Sequence, residues 1–288
     1  LHCLFFFDIR MFRPSEAQQP QQFAMESPPF KGNYDHIEEG HTPPPKDHKI
    51  DLGSPDQGSS GASEGPSGPS NMGVHVNLRN AFIRRVYGIL SAQLILTVAI
   101  CCFCALYQPM TETVLGYPRT FMYGSMIPSL VLIIALHFMK NSHPWNVVLL
   151  GLFTVCESLM IGVLAAAYKT AGMTDVLLSA AGLTLGIFLC LTAFVFISKK
   201  DFSFMGGFLF AGLFIMIGWG LLNLIFGWRV HFLYSACGAL LFVGFILYDT
   251  SNILRNLSYD DYIIGAIQLY LDILNLFLYI LQLLSSRD

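Results

Sequence analysis

Seven stretches of the chain are almost uninterrupted runs of apolar and small residues, at about 86–108, 121–139, 145–168, 175–198, 204–226, 231–254 and 262–284. Each is close to or above the roughly 20 residues with which a helix crosses a bilayer. A membrane β-barrel would need alternating segments of about 10 residues, and no such alternation is present. The links between runs are short, so the helices are expected to pack as one bundle. The pattern predicts an all-α polytopic membrane protein whose seven-helix domain covers 79–288.

Residues 1–78 break this pattern. From Gly53 to Gly73, 15 of 21 positions are Gly, Ser or Pro, and "HTPPPK" lies upstream. Such a segment cannot bury enough apolar surface to offset the entropy of ordering it, so a disordered Pro/Gly/Ser-rich tail is expected. The opening "LHCLFFFDIR" is too short for a signal-peptide core and is interrupted by Asp8, which leaves Met11 or Met25 as alternative starts.

Composition supports the same class, with 54% hydrophobic and only 12% charged residues against about 25% charged in ordinary soluble domains. Net charge is −3 and no basic patch stands out, so a nucleic-acid partner is not expected; the lipid bilayer is. Six of the seven cysteines (Cys101, Cys102, Cys104, Cys156, Cys190 and Cys237) fall within the runs, where they read as small packing residues and not as a disulfide framework. Basic residues near the span ends set orientation. With a cytosolic N-terminus, seven lie inside (Arg79, Arg84, Arg85, Lys140, Lys199, Lys200, Arg255) and four outside (Arg119, Lys169, Arg229, Arg287). The count favours N-terminus in. The C-terminus is then on the other side, unless the last run is re-entrant.

Three carboxylates lie well within the runs: Glu157, Asp249 and Asp272. Each costs about 2.5–3.5 kcal/mol to insert at mid-membrane on the translocon scale, so each must face the bundle interior, water or a partner. Around Asp272, the residues Gln268, Asn275, Tyr279 and Gln282 recur at steps of three and four, which puts one polar stripe on the last helix. The stripe can bind helices together or wall a hydrated path. Asp249 lies near the end of the sixth run with Asn252 one turn on, and the connection to the seventh is short. The two helices are therefore antiparallel neighbours on which Asp249 and Asp272 can meet. Two acids in contact cannot both ionise easily, and they titrate as a unit. Such a pair can hold one shared proton, or lose it and accept a cation. Ca²⁺ takes several hard oxygen ligands, which Asp249, Asp272, Asn252, Asn275 and water could supply. Gly182 and Gly186 form a GxxxG pair, and Gly206, Gly207, Gly212, Gly218 and Gly220 crowd the fifth run; both features predict close helix packing. Pro128 is a candidate kink.

The stretches "RRVYGILSAQLILT" (84–97), "PWNVVLLGLFTVCESL" (144–159), "SKKDFSFMGGFLF" (198–210), "CGALLFVGFILYDT" (237–250) and "GAIQLYLDILNLFL" (265–278) resemble, in order, the transmembrane Bax inhibitor motif family, and within it the Lifeguard branch. The resemblance covers 79–288. It implies a seven-helix bundle whose last helix is central, pH-sensitive Ca²⁺ leak across Golgi or endoplasmic-reticulum membranes, and protection from cell death. It also implies that Asp249 and Asp272 are the proton-sensing, gating pair. In bacterial relatives a basic residue ending the second helix latches that pair, a position that falls on Lys140 with His137 one turn back. Neither is the arginine found there, and a lysine cannot make the planar bidentate contact. Glu157 matches an acid of the Lifeguard branch.

The expected function is a pH-sensitive calcium leak channel of intracellular membranes that modulates organelle calcium and inhibits apoptosis. Calcium is the permeant or bound ion, and no cofactor is expected. The alternative is a non-conducting scaffold that regulates calcium channels or cell-death proteins. An enzyme is not expected: intramembrane aspartyl proteases also pair two aspartates, but "YLD" at 270–272 lacks their glycine-rich loop, and no Pro-Ala-Leu follows. A seven-span receptor would usually carry its N-terminus outside, against the charge count.

Overall fold

The computed structural model of the chain describes residues 69–139, 142–198, 200–226 and 231–286. Of the tail expected over residues 1–78, residues 1–68 lie outside them. Among the described residues eight α-helices follow one another: α1 (Pro69–Leu106), α2 (Gln108–Gly116), α3 (Pro118–Met139), α4 (Trp145–Thr170), α5 (Thr174–Ser198), α6 (Gly206–Phe226), α7 (His231–Arg255) and α8 (Tyr262–Ser285). A short 3₁₀ turn, Ser203–Met205, precedes α6, and there is no strand among the described residues. Seven of these helices are long and apolar enough to cross a membrane; the exception is α2.

Helix α1 starts earlier than its apolar run, at Pro69. Helix α2 falls where the first apolar run was expected to end, with a proline in its opening positions, where the missing N–H is no loss. Helix α3 runs on through Pro128. Helix α4 closes in a Schellman motif: Gly172 takes φ +76°, the Met173 N–H donates to Tyr168 O at 2.9 Å, and the Gly172 N–H donates to Lys169 O at 3.0 Å. Lys169 also reaches across to Ala105 O at 2.7 Å, and Thr111 donates to Cys104 O at 2.8 Å. The last carbonyls of α1, which no turn of helix follows, are thereby satisfied.

Helix α8 is the axis of the bundle. Of its membrane-length window 78% is buried, against 22–50% for the other six, and it packs on α7, α5 and α1. It is one unbroken helix and does not turn back as a re-entrant segment would. Small residues let it approach its neighbours: a Cβ on Gly265 would meet Leu257 Cδ2 at 2.8 Å and Ile253 Cγ1 at 3.2 Å. Lipid tails are as apolar as leucine, so association here rests on such packing and on interhelical hydrogen bonds, not on hydrophobic burial. The glycines divide accordingly. Gly206 lies under the Tyr248 ring, Gly212 against Leu241, Gly220 against the Tyr234 hydroxyl and Gly244 against Leu209, which joins α6 to α7. The GxxxG pair, Gly182 and Gly186, is exposed, and a Cβ on either would meet nothing within 4 Å. The same open space surrounds Gly207 and Gly218. Close packing was expected at all four and is not found there.

Candidate functional site

Asp249 on α7 and Asp272 on α8 are only 6% and 4% exposed. Their side chains hydrogen-bond each other, as the short connection between antiparallel helices led us to expect. An ionised carboxylate can only accept, so two carboxyl groups hydrogen-bond to each other only when one of them carries a proton. Asp272 Oδ2 is buried and has no hydrogen-bond partner. The surroundings are apolar, with Phe242, Ile246 and Ile253 of α7 and Leu269 and Leu276 of α8 buried. Thr250 and Ser251, next to Asp249, are fully buried as well.

The other sequence-predicted residues are distributed unevenly around this pair. Gln268 is half-buried one turn before Asp272, and Asn252 is half-buried one turn after Asp249. Asn275 is buried and turns its amide back to Leu271 O at 2.7 Å. Tyr279 packs among rings, and Gln282 accepts a 2.6 Å hydrogen bond from Ser235 of α7. His137 is exposed at the end of α3 with its ring against Phe138, and it is not brought to the pair. Lys140 lies outside the described residues.

Glu157 is 6% exposed, but it belongs to a different constellation. It hydrogen-bonds Ser129 of α3 and lies near Tyr270. Tyr270 and Asp272 are two residues apart, about 200° around α8, so Tyr270 and the aspartate pair occupy opposite faces. On the Tyr270 face, Thr97 Oγ1 lies 2.9 Å from both the Tyr270 hydroxyl and Ser158 Oγ, and Gln93 donates to Thr154 Oγ1 at 3.1 Å. This hydroxyl network ties α1, α4 and α8 together. Neutral polar side chains are common enough in membrane helices that none was singled out from sequence. The i,i+4 pairs Gln93/Thr97 and Thr154/Ser158 were the available signal.

Arg79 of α1 binds the C-terminal end of α7. Its guanidinium donates to Leu257 O at 2.8 Å, Arg255 O at 3.0 Å and Ile253 O at 3.5 Å. It stands 4.9 Å from the Tyr259 ring centroid and 5.5 Å from that of Phe82. A cation on the last carbonyls of α7 caps the helix and complements its dipole. The α5–α6 link is fixed to the same helix end. Ser251 accepts from the Phe202 N–H at 3.1 Å, and Asn256 donates to Ser203 Oγ at 2.6 Å. Asp201 accepts from both the hydroxyl and the N–H of Ser203, and these bonds hold its carboxyl below the usual aspartate range.

The fold and the site together define a polytopic helical membrane protein with two buried, adjoining aspartates, one on its central helix and one on the neighbouring α7. Residues 79–288 match the family model described as "Inhibitor of apoptosis-promoting Bax1", and the chain belongs to this Bax inhibitor family. It is similar to the BI1-like protein of Arabidopsis thaliana, at 42% identity over 218 residues that cover 73% of this chain and 82% of that one. The Golgi anti-apoptotic protein of Vaccinia virus (strain Lister) is 41% identical over 222 residues, 77% of this chain and 92% of its own. Protein lifeguard 4 of Mus musculus is 39% identical over 212 residues, 73% and 87% of the two chains.

Proposed function

We propose that the chain is a pH-sensitive calcium leak pathway that restrains apoptosis by limiting organelle calcium, with the Asp249–Asp272 pair as its gate. The observation that carries this is the buried carboxyl–carboxyl contact with a partnerless Asp272 Oδ2 beside it. With its proton, the pair binds α7 to α8 and the route is shut. As pH rises the proton leaves, and two carboxylates repel and draw in a divalent cation. At about 4 Å and an effective dielectric of about 20, such repulsion is about 4 kcal/mol. That shifts a closed-to-open ratio by nearly three powers of ten.

Calcium is cargo in this reading. Asp249 and Asp272 would hold it, with Asn252 and Asn275 near enough in sequence register to add oxygens. The pair acts as a gate and not as a catalytic centre. The name of one relative, "Golgi anti-apoptotic protein", supports a Golgi membrane and a role against cell death, and an endoplasmic-reticulum membrane is the alternative location in this proposal. The count of basic residues supports a cytosolic N-terminus. The partners that suit this role are cell-death regulators and calcium channels. The test is Ca²⁺ flux from proteoliposomes of the full chain between about pH 6 and pH 8, across which the pair is proposed to titrate as a unit. Flux should rise with pH in the wild type and lose that dependence in Asp249→Asn and Asp272→Asn. Absence of flux from folded protein would leave the scaffold role as the function.

A further inference from the structure

The polar stripe of α8 is not continuous. Between Asn275 and Gln282 it is interrupted by Tyr279, which is buried, and the facing side of α7 is shaped around that ring. Gly238 stands directly beneath it: a Cβ there would lie 2.4 Å from Cε1, 2.5 Å from Cδ1 and 2.6 Å from Cζ of Tyr279. One turn to either side of Gly238 on the same face of α7 are Tyr234 and Phe242. The Tyr279 ring is 5.8 Å from Tyr234 at 60° and 5.7 Å from Phe242 at 25°. Tyr234 is itself seated, with its hydroxyl over Gly220 of α6 and its ring 5.8 Å from Trp219. Aromatic, glycine, aromatic is thus a slot that accepts a flat ring from α8 and would accept nothing if Gly238 carried a side chain. Beyond the ring the polar register resumes at once, where Ser235 donates to Gln282.

We propose that Tyr279 is a plug that closes the route between the aspartate pair and the far end of α8, its ring seated on Gly238 between Tyr234 and Phe242. The inference rests on the reading of the aspartate pair as a gate on a route along α8, and it adds a second closure in series. A ring held by stacking and by a 3.4 Å contact from its hydroxyl to that of Tyr234 leaves the slot when α7 and α8 part, as they do when the aspartates repel. Opening at one end of the stripe is thereby transmitted to the other.

The experiment uses Asn275→Cys, which introduces a thiol between pair and plug, in the full chain in proteoliposomes. A membrane-impermeant methanethiosulfonate is applied at one acidic pH. Peptide mass spectrometry reads modification of the introduced thiol separately from that of the native cysteines. With Tyr279 or Tyr279→Phe in place, the introduced thiol should react slowly. With Tyr279→Ala it should react at least about tenfold faster, the ratio that 1.4 kcal/mol of bias toward the closed state sustains. Equal rates in the Tyr279 and Tyr279→Ala backgrounds overturn the plug. Native Cys104, fully buried, reports the fold. If it too becomes reactive in the alanine variant, Tyr279→Leu, which keeps bulk but not the ring, decides by the same two readings. Calcium flux measured at the alkaline end of the pH range, in vesicles of the chain that keeps Asn275, separates the two ideas. A Tyr279-dependent rate without any flux keeps the plug and removes calcium as cargo. Flux with no Tyr279-dependent rate does the reverse.

Discussion

Glu157, Asp249 and Asp272 are chemically similar and equally buried, yet the structure gives them different work. Asp249 and Asp272 bond to each other, whereas Glu157 bonds to Ser129 near the hydroxyls that tie α1 and α4 to α8. Glu157→Gln keeps a hydrogen-bonding group of the same size on the face of α8 away from the pair. It should leave the pH profile of calcium flux in place, and a profile as flat as that of Asp272→Asn would refute this division. Arg79 is the residue whose loss should be felt in stability. Arg79→Gln removes three charge-assisted bonds to the end of α7, each bond of this type being worth about 1.5–3 kcal/mol. Because the site is partly exposed, the total expected is about 1.5–3 kcal/mol, read as a lower thermal midpoint. Arg79→Lys should recover only part of it, since an ammonium cannot fork across three carbonyls.

Among the elements, α7 carries Asp249 near its end and the ring slot around Gly238 near its start. Gly238→Ala should destabilise the chain by about 1–3 kcal/mol, the usual cost of overpacking a filled site, whereas Gly182→Ala, facing outward, should be neutral in a thermal scan. The α5–α6 link makes a pH prediction. The Asp201 carboxyl is held low by Ser203, so it stabilises the link above the ordinary aspartate range, about 3.9. That contribution is lost as pH falls through the lowered value. The difference in thermal midpoint between wild type and Asp201→Asn should therefore shrink on acidification. Growth of the difference would contradict the assignment. These elements were unequally legible in the sequence. Apolar periodicity located all seven long helices within a few residues at most ends, because a span must be apolar along its whole length. The early turns of α1 and the short α2 escaped because "NMGVHVNLRN" and "QPMTETVLG" are mixed in polarity. The contact of Arg79 with the end of α7 is a tertiary one, which no local pattern reveals.

For the whole molecule, the pairing of Asp249 with Asp272 was legible because a short connection makes the two helices antiparallel neighbours. The central position of α8 came from resemblance and is borne out by its burial. The absence of His137 from the site follows from α3 packing on α4, a choice of neighbour that spacing along one helix does not encode. Gating is assigned to the bundle alone, so the chain without residues 1–68 should show the same pH-dependent flux as the full chain. Loss of flux in the shortened protein would move the function toward a tail-mediated scaffold. The most direct measurement is infrared difference spectroscopy of the full chain in lipid, following the protonated-carboxyl band with pH alongside calcium flux. A band absent from Asp249→Asn and Asp272→Asn should disappear in the wild type over the same pH interval in which flux appears. A band that persists unchanged while flux rises would contradict gating by the pair.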